Sequence, residues 1–205
     1  PLCESAIVGA SLGWSIAGGK AMMEMQFSDF VTTGFNQIVN NLAKLHWRWG
    51  QAVDVVVRMP TGAGVAAGPF HSQSTEAWFT HVPGLKVVYP AFPGEAKGLL
   101  MASFNEPNPV LFFEHKAMYR TVREEVKEGP QFIELGKADV VHSGTDLTVI
   151  TYGMGIHWTL DLIEEEGLTG RLDLINLRTL VPLDFDAIRS SVARTGKVIV
   201  LQEDV

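Results

Sequence analysis

The segment Val53 to Met59 carries valine at positions 53, 55, 56 and 57 and runs up to Pro60. A strand with one wet face alternates apolar and polar residues. One that is apolar at consecutive positions is covered on both faces, as in a parallel sheet packed between helices. The flanking sequence agrees. Residues 5–18 place Ile7, Val8, Leu12 and Ile16 at helical spacing before Gly18-Gly19. Ala21 to Gln26 reads as a short strand. Phe30 to Trp49 reads as one long helix, with Phe35, Ile38, Val39, Leu42 and Leu45 along one side. After a Gly/Ala loop from Gly62 to Gly68, the pattern gives a short helix (74–80), a strand (85–89), a helix (94–104) and a strand (109–113). The expected architecture is α/β, a doubly wound, mostly parallel sheet.

Residues 114–137 change character, being charged and without clear period, for example Arg123-Glu124-Glu125 and Lys127-Glu128-Gly129-Pro130. They suggest one unit over 1–120, a linker over 121–137 and a second unit over 138–205. In the second unit strands are expected at 147–151, 171–176 and 197–201, with helices at 156–166 and 184–194. The chain opens on Pro1 without an initiator Met and stops just after an apolar strand, so it reads as a piece of a longer polypeptide.

Composition removes several classes of function. A formal net charge of -7 without Lys/Arg blocks is a poor match to the nucleic-acid phosphate backbone. No apolar run reaches the roughly 18–20 residues that span a bilayer. Cys3 is the single cysteine, so no internal disulfide forms and a reducing compartment fits. Charged residues make up only 19% of the chain, consistent with surface covered by neighbours.

Three places offer chemistry. Glu4 shares a helical stripe with Val8 and Leu12, where a carboxylate is partly desolvated and its hydrogen bonds strengthened; a first-turn Glu complementing the helix dipole explains it equally. His71 follows the Gly-rich loop, at the end of a parallel strand where such folds bind ligands, and is either an acid–base group or a loop residue beside a Ser74 cap. Gln26, Phe27 and Phe30 join a strand to a helix, and their aromatics either stack on a planar ring or pack the core. The loop Gly62 to Gly68 is spaced G-x-G-x-x-x-G and runs into Pro69, a weak dinucleotide signature.

Taken in order, Pro1-Leu2-Cys3-Glu4, Glu24-Met25-Gln26-Phe27-Ser28-Asp29-Phe30, Gln37-Ile38-Val39-Asn40, His71-Ser72-Gln73-Ser74, Pro83-Gly84-Leu85-Lys86-Val87-Val88, Ala96-Lys97-Gly98-Leu99-Leu100, Asn108-Pro109 and Leu177-Arg178-Thr179-Leu180 resemble the beta subunit of 2-oxo-acid dehydrogenases, of branched-chain or pyruvate type. The resemblance covers essentially the whole chain. It implies a transketolase-like superfamily member with a pyrimidine-binding fold followed by the start of a transketolase C-terminal-type domain. It implies thiamine diphosphate as cofactor, with Glu4 hydrogen-bonding N1′ of the aminopyrimidine ring, Phe30 stacking on that ring, and Gln26 and Phe27 beside it. It makes His71 the histidine near the reacting carbon, which supplies or orients a proton as the acyl group passes to lipoamide. It also suggests a structural potassium ion held by Val55, Ser103, Phe104, Glu106 and Asn108, where oxygen ligands suit a hard cation.

The signature that clamps magnesium and the diphosphate belongs to the alpha-type half and is absent here. The resemblance therefore implies an alpha-type partner, separate or fused, a second beta-type half in an α2β2 assembly, and a lipoyl-bearing acyltransferase component. On this reading the 205-residue piece alone is inactive. It works in the cytoplasm of a bacterium or the mitochondrial matrix of a eukaryote. Transketolase or deoxyxylulose-phosphate synthase shares the fold, but those enzymes carry a Glu-Asp-Gly stretch where this chain reads Val65 to Phe70. A non-catalytic assembly domain is the third alternative.

Overall fold

The computed structural model describes residues 2–204. The chain opens with α1 (Glu4–Ile16), which buries Val8, Leu12 and Ser15 on one stripe. Strand β1 (Ala21–Glu24) leads through a single tight turn at Ser28–Phe30 into α2 (Val31–Asn36). Then come a wide helical turn over Gln37–Leu42, α3 (Leu45–Trp49) and β2 (Val55–Thr61). They are followed by α4 (Ala77–Thr80), β3 (Lys86–Val88), α5 (Pro93–Asn105), β4 (Val110–His115) and α6 (Met118–Thr121). The remainder holds β5 (Asp139–His142), β6 (Leu147–Thr151), α7 (Met154–Glu165), β7 (Leu172–Asn176), β8 (Thr179–Val181), α8 (Phe185–Thr195) and β9 (Val198–Val200).

These elements build two sheets, ordered β1-β2-β4-β3-β8 and β5-β7-β6-β9. Strands β1 to β4 pair in parallel, as do β6 with β7 and β9; the two departures are β8 on β3 and β5 on β7, both antiparallel. Strand β2 is buried except at Arg58, as the valine run at 53–57 requires, and all six residues of β4 are buried, including Glu114 and His115. One core packs α1, α2 and the Gln37–Leu42 turn on the first sheet through Val8, Ile38, Leu42, Val57 and Phe113. A second gathers Val149, Ile156, Ile163 and Leu174 under α7.

Four expectations are corrected. The long helix over 30–49 is broken: the backbone widens to i→i+5 bonding at Gln37–Leu42 and restarts at Leu45. Such wide turns are rare and occur mostly as single turns within α-helices. Pro60 does not close β2. The strand continues to Thr61 because alternate residues face alternate neighbours; Arg58 O accepts from Met25 N on the β1 side, so Pro60 faces that same side, where β1 has already ended at Glu24. No partner waits there for the N–H that proline lacks. Strand β5 falls outside the expected pattern, since none of its residues is fully buried. Strand β8 is three residues long and was read only as part of a motif; its structure comes from lying antiparallel on β3, a long-range contact without local signal.

Candidate functional site

The carboxyl ends of β1, β2 and β4 converge on one polar and aromatic cluster, where parallel sheets characteristically bind ligands. The turn after β1 supplies Phe27 and Phe30, and the loop after β2 supplies His71. Their rings meet edge to face: Phe27–His71 centroids are 4.9 Å apart, Phe30–His71 5.5 Å and Phe27–Phe30 5.8 Å. All three are half-buried, so one side of the trio stays open. Gln26 is exposed at its margin.

Glu4 reaches the same neighbourhood from the first turn of α1. Its Oε2 accepts from Thr33 Oγ1 at 2.9 Å, and Thr33 also hydrogen-bonds the Phe30 carbonyl at 3.0 Å. Thr33 therefore ties the carboxylate to the aromatic that closes the turn. Glu4 is half-buried, and its other oxygen accepts no hydrogen bond among the described residues.

The turn is held by charge. Asp29 is buried, and its Oδ1 accepts from the Gln73 backbone N (3.1 Å) and side-chain Nε2 (3.0 Å). Ser28 Oγ donates to Thr61 Oγ1 (3.0 Å), and Thr61 Oγ1 donates to the Gln73 carbonyl (3.0 Å). The loop base closes with Gly62 N on Gln73 O at 3.1 Å. His71 thus stands two residues from a fully anchored backbone.

Sequence reasoning missed the residues behind this face. Lys116 follows β4, is buried, and places its ammonium 5.3 Å from the Phe27 ring centroid. Nζ has no hydrogen-bond partner among the described residues, and neither do Asp29 Oδ2 and His115 Nδ1. Burial pushes the Lys116 pKa down, against the opposing charges of Asp29 and Glu203. Glu203 arrives from beyond β9: its Oε2 pairs with His115 Nε2 at 2.8 Å and its Oε1 accepts from Ala63 N at 3.0 Å. Burial opposes its ionisation, but those bonds and the charges of His115 and Lys116 outweigh it, so the carboxyl sits below its ordinary range. Glu76, buried beside Tyr152, is pushed up by burial. The signal that could have found them is the run of charge at the end of an apolar strand, Glu114-His115-Lys116.

The five residues expected around a potassium ion lie elsewhere. Val55 is buried at the start of β2, and Ser103 Oγ donates to Leu99 O at 2.7 Å. The Phe104 carbonyl accepts from Lys20 Nζ at 3.2 Å. The Glu106 carboxylate takes Lys86 Nζ at 2.7 Å and Asn108 Nδ2 at 2.5 Å. The resemblance gives the ligands as backbone carbonyls, and of these the Phe104 carbonyl already has an ammonium partner. Among the described residues, no three His, Cys, Asp or Glu side chains converge as metal ligands. No helix there is long and apolar enough to cross a membrane.

A cavity of about 370 Å³ opens instead beside the N-terminus of α5, lined by Phe92, Ala96, Leu100 and Phe112 around the Arg58–Glu114 ion pair. None of the predicted site residues lines it. The aromatic trio is the better candidate, because it joins an open face to unpaired buried polar atoms.

Comparison with known proteins bears on the family of the chain. Residues 1–122 match the model described as transketolase, pyrimidine binding domain, and residues 136–205 match transketolase, C-terminal domain. The chain is 44% identical, over its whole length, to 2-oxoisovalerate dehydrogenase subunit beta of Bacillus subtilis, of which it spans 63%. It is 42% identical, over 99% of its length, to pyruvate dehydrogenase E1 component subunit beta of the same organism, again spanning 63%. A solved structure titled as a split gene transketolase, inactive beta4 tetramer, superposes with a TM-score of 0.80 at 22% identity, covering 99% of this chain and 64% of that one. The likeness supports the fold. The chain thus spans under two thirds of the length of these relatives, and it belongs to the transketolase pyrimidine-binding-domain family, continuing into the C-terminal domain of the same superfamily.

Proposed function

We propose that this chain is the larger part of the beta-type half of a thiamine diphosphate-dependent 2-oxo-acid dehydrogenase, of branched-chain or pyruvate type. The observation that carries the reading is the open Phe27–Phe30–His71 trio with Glu4 tied to it through Thr33. The residues fit the aminopyrimidine end of the cofactor. Glu4 keeps one carboxylate oxygen for ring N1′ and holds the proton there, and burial beside α2 strengthens that bond. Phe30 offers its face to the ring, with Phe27 and Gln26 at the margin, and the two aromatics exclude water. His71, fixed by the Gln73 anchor, would supply or orient a proton near the reacting carbon as the acyl group passes to lipoamide. The bound cofactor supplies the electron sink for decarboxylation.

On this reading residues 1–120 form the pyrimidine-binding unit, 121–137 a connection and 138–205 the beginning of the second unit. The magnesium and diphosphate ligands belong to an alpha-type half. Function then requires that partner, a second beta-type half, and a lipoyl-bearing acyltransferase component to accept the acyl group, and the 205-residue piece alone turns over nothing. No step is assigned to potassium.

The test is turnover of the native-length protein assembled with its alpha-type half, with thiamine diphosphate, magnesium, an artificial electron acceptor, and pyruvate, 2-oxoisovalerate or 2-oxoglutarate. Turnover of one acid is expected, falling about 10²–10⁴-fold in His71→Ala and lost in Glu4→Gln. Tight cofactor binding without turnover of any acid would favour a transketolase-like reaction, and absence of cofactor binding an assembly role.

A further inference from the structure

The loop that carries His71 is fastened by a residue 132 positions away in the chain. Between its closed ends at Gly62 and Gln73, residues 63–70 are exposed. Among the described residues, the single hydrogen bond that segment makes outside the loop runs from Ala63 N to Glu203 Oε1, 3.0 Å. The other Glu203 oxygen holds His115 Nε2 at 2.8 Å, and the His115 ring lies so close to Gly62 that a methyl group there would fall 2.3 Å from ring atoms. Gly62, Ala63, Glu203 and His115 therefore form a closed ring of contacts around the first residues of the loop. Gly62, with φ +83, is the residue type that both the close approach and the backbone require. The clamp is charge-assisted, hence stronger than a neutral bond of the same length. Glu203 follows β9, in the other sheet, so the clamp spans both sheets.

We propose that Glu203 is a positioning residue, clamping the 62–73 loop onto His115 and so fixing His71 against Phe27 and Phe30. The role of His71 in this statement rests on the function proposed above; the clamp itself does not.

Backbone hydrogen exchange of the 205-residue chain tests the clamp without any cofactor. Glu203→Ala is expected to speed exchange over 62–73 about tenfold while leaving β6 and β7 unchanged. Glu203→Gln keeps an acceptor for Ala63 N–H and restores most of the protection. Glu165→Gln, an exposed change of equal charge on α7, is expected to leave the loop protected. Unchanged exchange in Glu203→Ala overturns the clamp, as does acceleration spread equally over the second sheet. In the assembled protein, Glu203→Ala is expected to lower kcat about tenfold at unchanged cofactor affinity, with rescue by Gln. A loosened loop with normal kcat overturns the positioning of His71. A wild-type assembly that turns over no oxo acid sinks the dehydrogenase reading instead, and leaves the exchange result standing.

Discussion

The two sheets bury comparable polar chemistry and treat it in opposite ways. In the second sheet Asp173 is fully buried and saturated: it accepts from Gly144 N, Ser191 Oγ and Arg194. Thr148 bonds both Ser191 and Thr195. At the seam between the sheets, Glu95 accepts from Ala91 N, Asn176 Nδ2 and Arg178 Nε. At the carboxyl end of the first sheet the pattern reverses. Among the described residues, Asp29, Thr75, Glu76, His115 and Lys116 each leave a buried polar atom without a partner, against Thr151 alone in the second. An unsatisfied buried polar atom costs on the order of 1–3 kcal/mol. Two of them, Asp29 in the turn between Phe27 and Phe30 and Lys116 over the Phe27 ring, border the open aromatic face and mark a surface shaped for something other than the fold's own stability.

That contrast has measurable consequences. The saturated region should be intolerant. Glu95→Ala leaves the Asn176 amide without its acceptor and Arg178 with Asp139 alone, and is expected to cost about 3 kcal/mol in denaturant unfolding; a loss under 1 kcal/mol would erase the distinction. The unsaturated region should be permissive or better. Glu76 has its folded pKa raised by burial. It binds protons more tightly folded than unfolded, so its contribution is present below the ordinary carboxylate range and is lost as pH rises through the raised value. Glu76→Gln keeps an acceptor for Tyr152 and is expected to gain about 1 kcal/mol at pH 7, a gain that vanishes near pH 4 in paired melts. Lys116→Met removes a desolvated ammonium and one cation–π contact. Its stability should stay within about 1 kcal/mol of the parent, while cofactor-dependent turnover falls; a loss as large as that of Glu95→Ala would make Lys116 structural. Smallest of all, His71→Asn should shift unfolding by about 0.5 kcal/mol and act on turnover alone.

The same contrast explains what could be read from the residues. The apolar run of β2 and the helical stripe of α1 announce themselves because burial imposes a period on adjacent positions. The Phe27, Phe30 and His71 positions were legible through ordered motifs, and the structure brings them together. Lys116 and Glu203 were not, because a charge beside the end of a strand has no period, and Glu203 pairs with His115 from 88 positions on. Strand β8 was invisible for a related reason: its three residues gain their conformation from β3. Pro60 misled because a proline stops a strand only where a neighbour needs its N–H.

Strand β8 also bears on how such proteins are recombined. It lies within the stretch that matches the C-terminal domain, yet it forms the outer edge of the first sheet, where Val181 sits opposite Val87. A chimera that joins the front half of one relative to the back half of another imports a foreign edge strand with the graft. Modular exchange is then governed by how well that borrowed strand suits β3, and the junction that respects the architecture is not the one that the linear order of the two matches suggests.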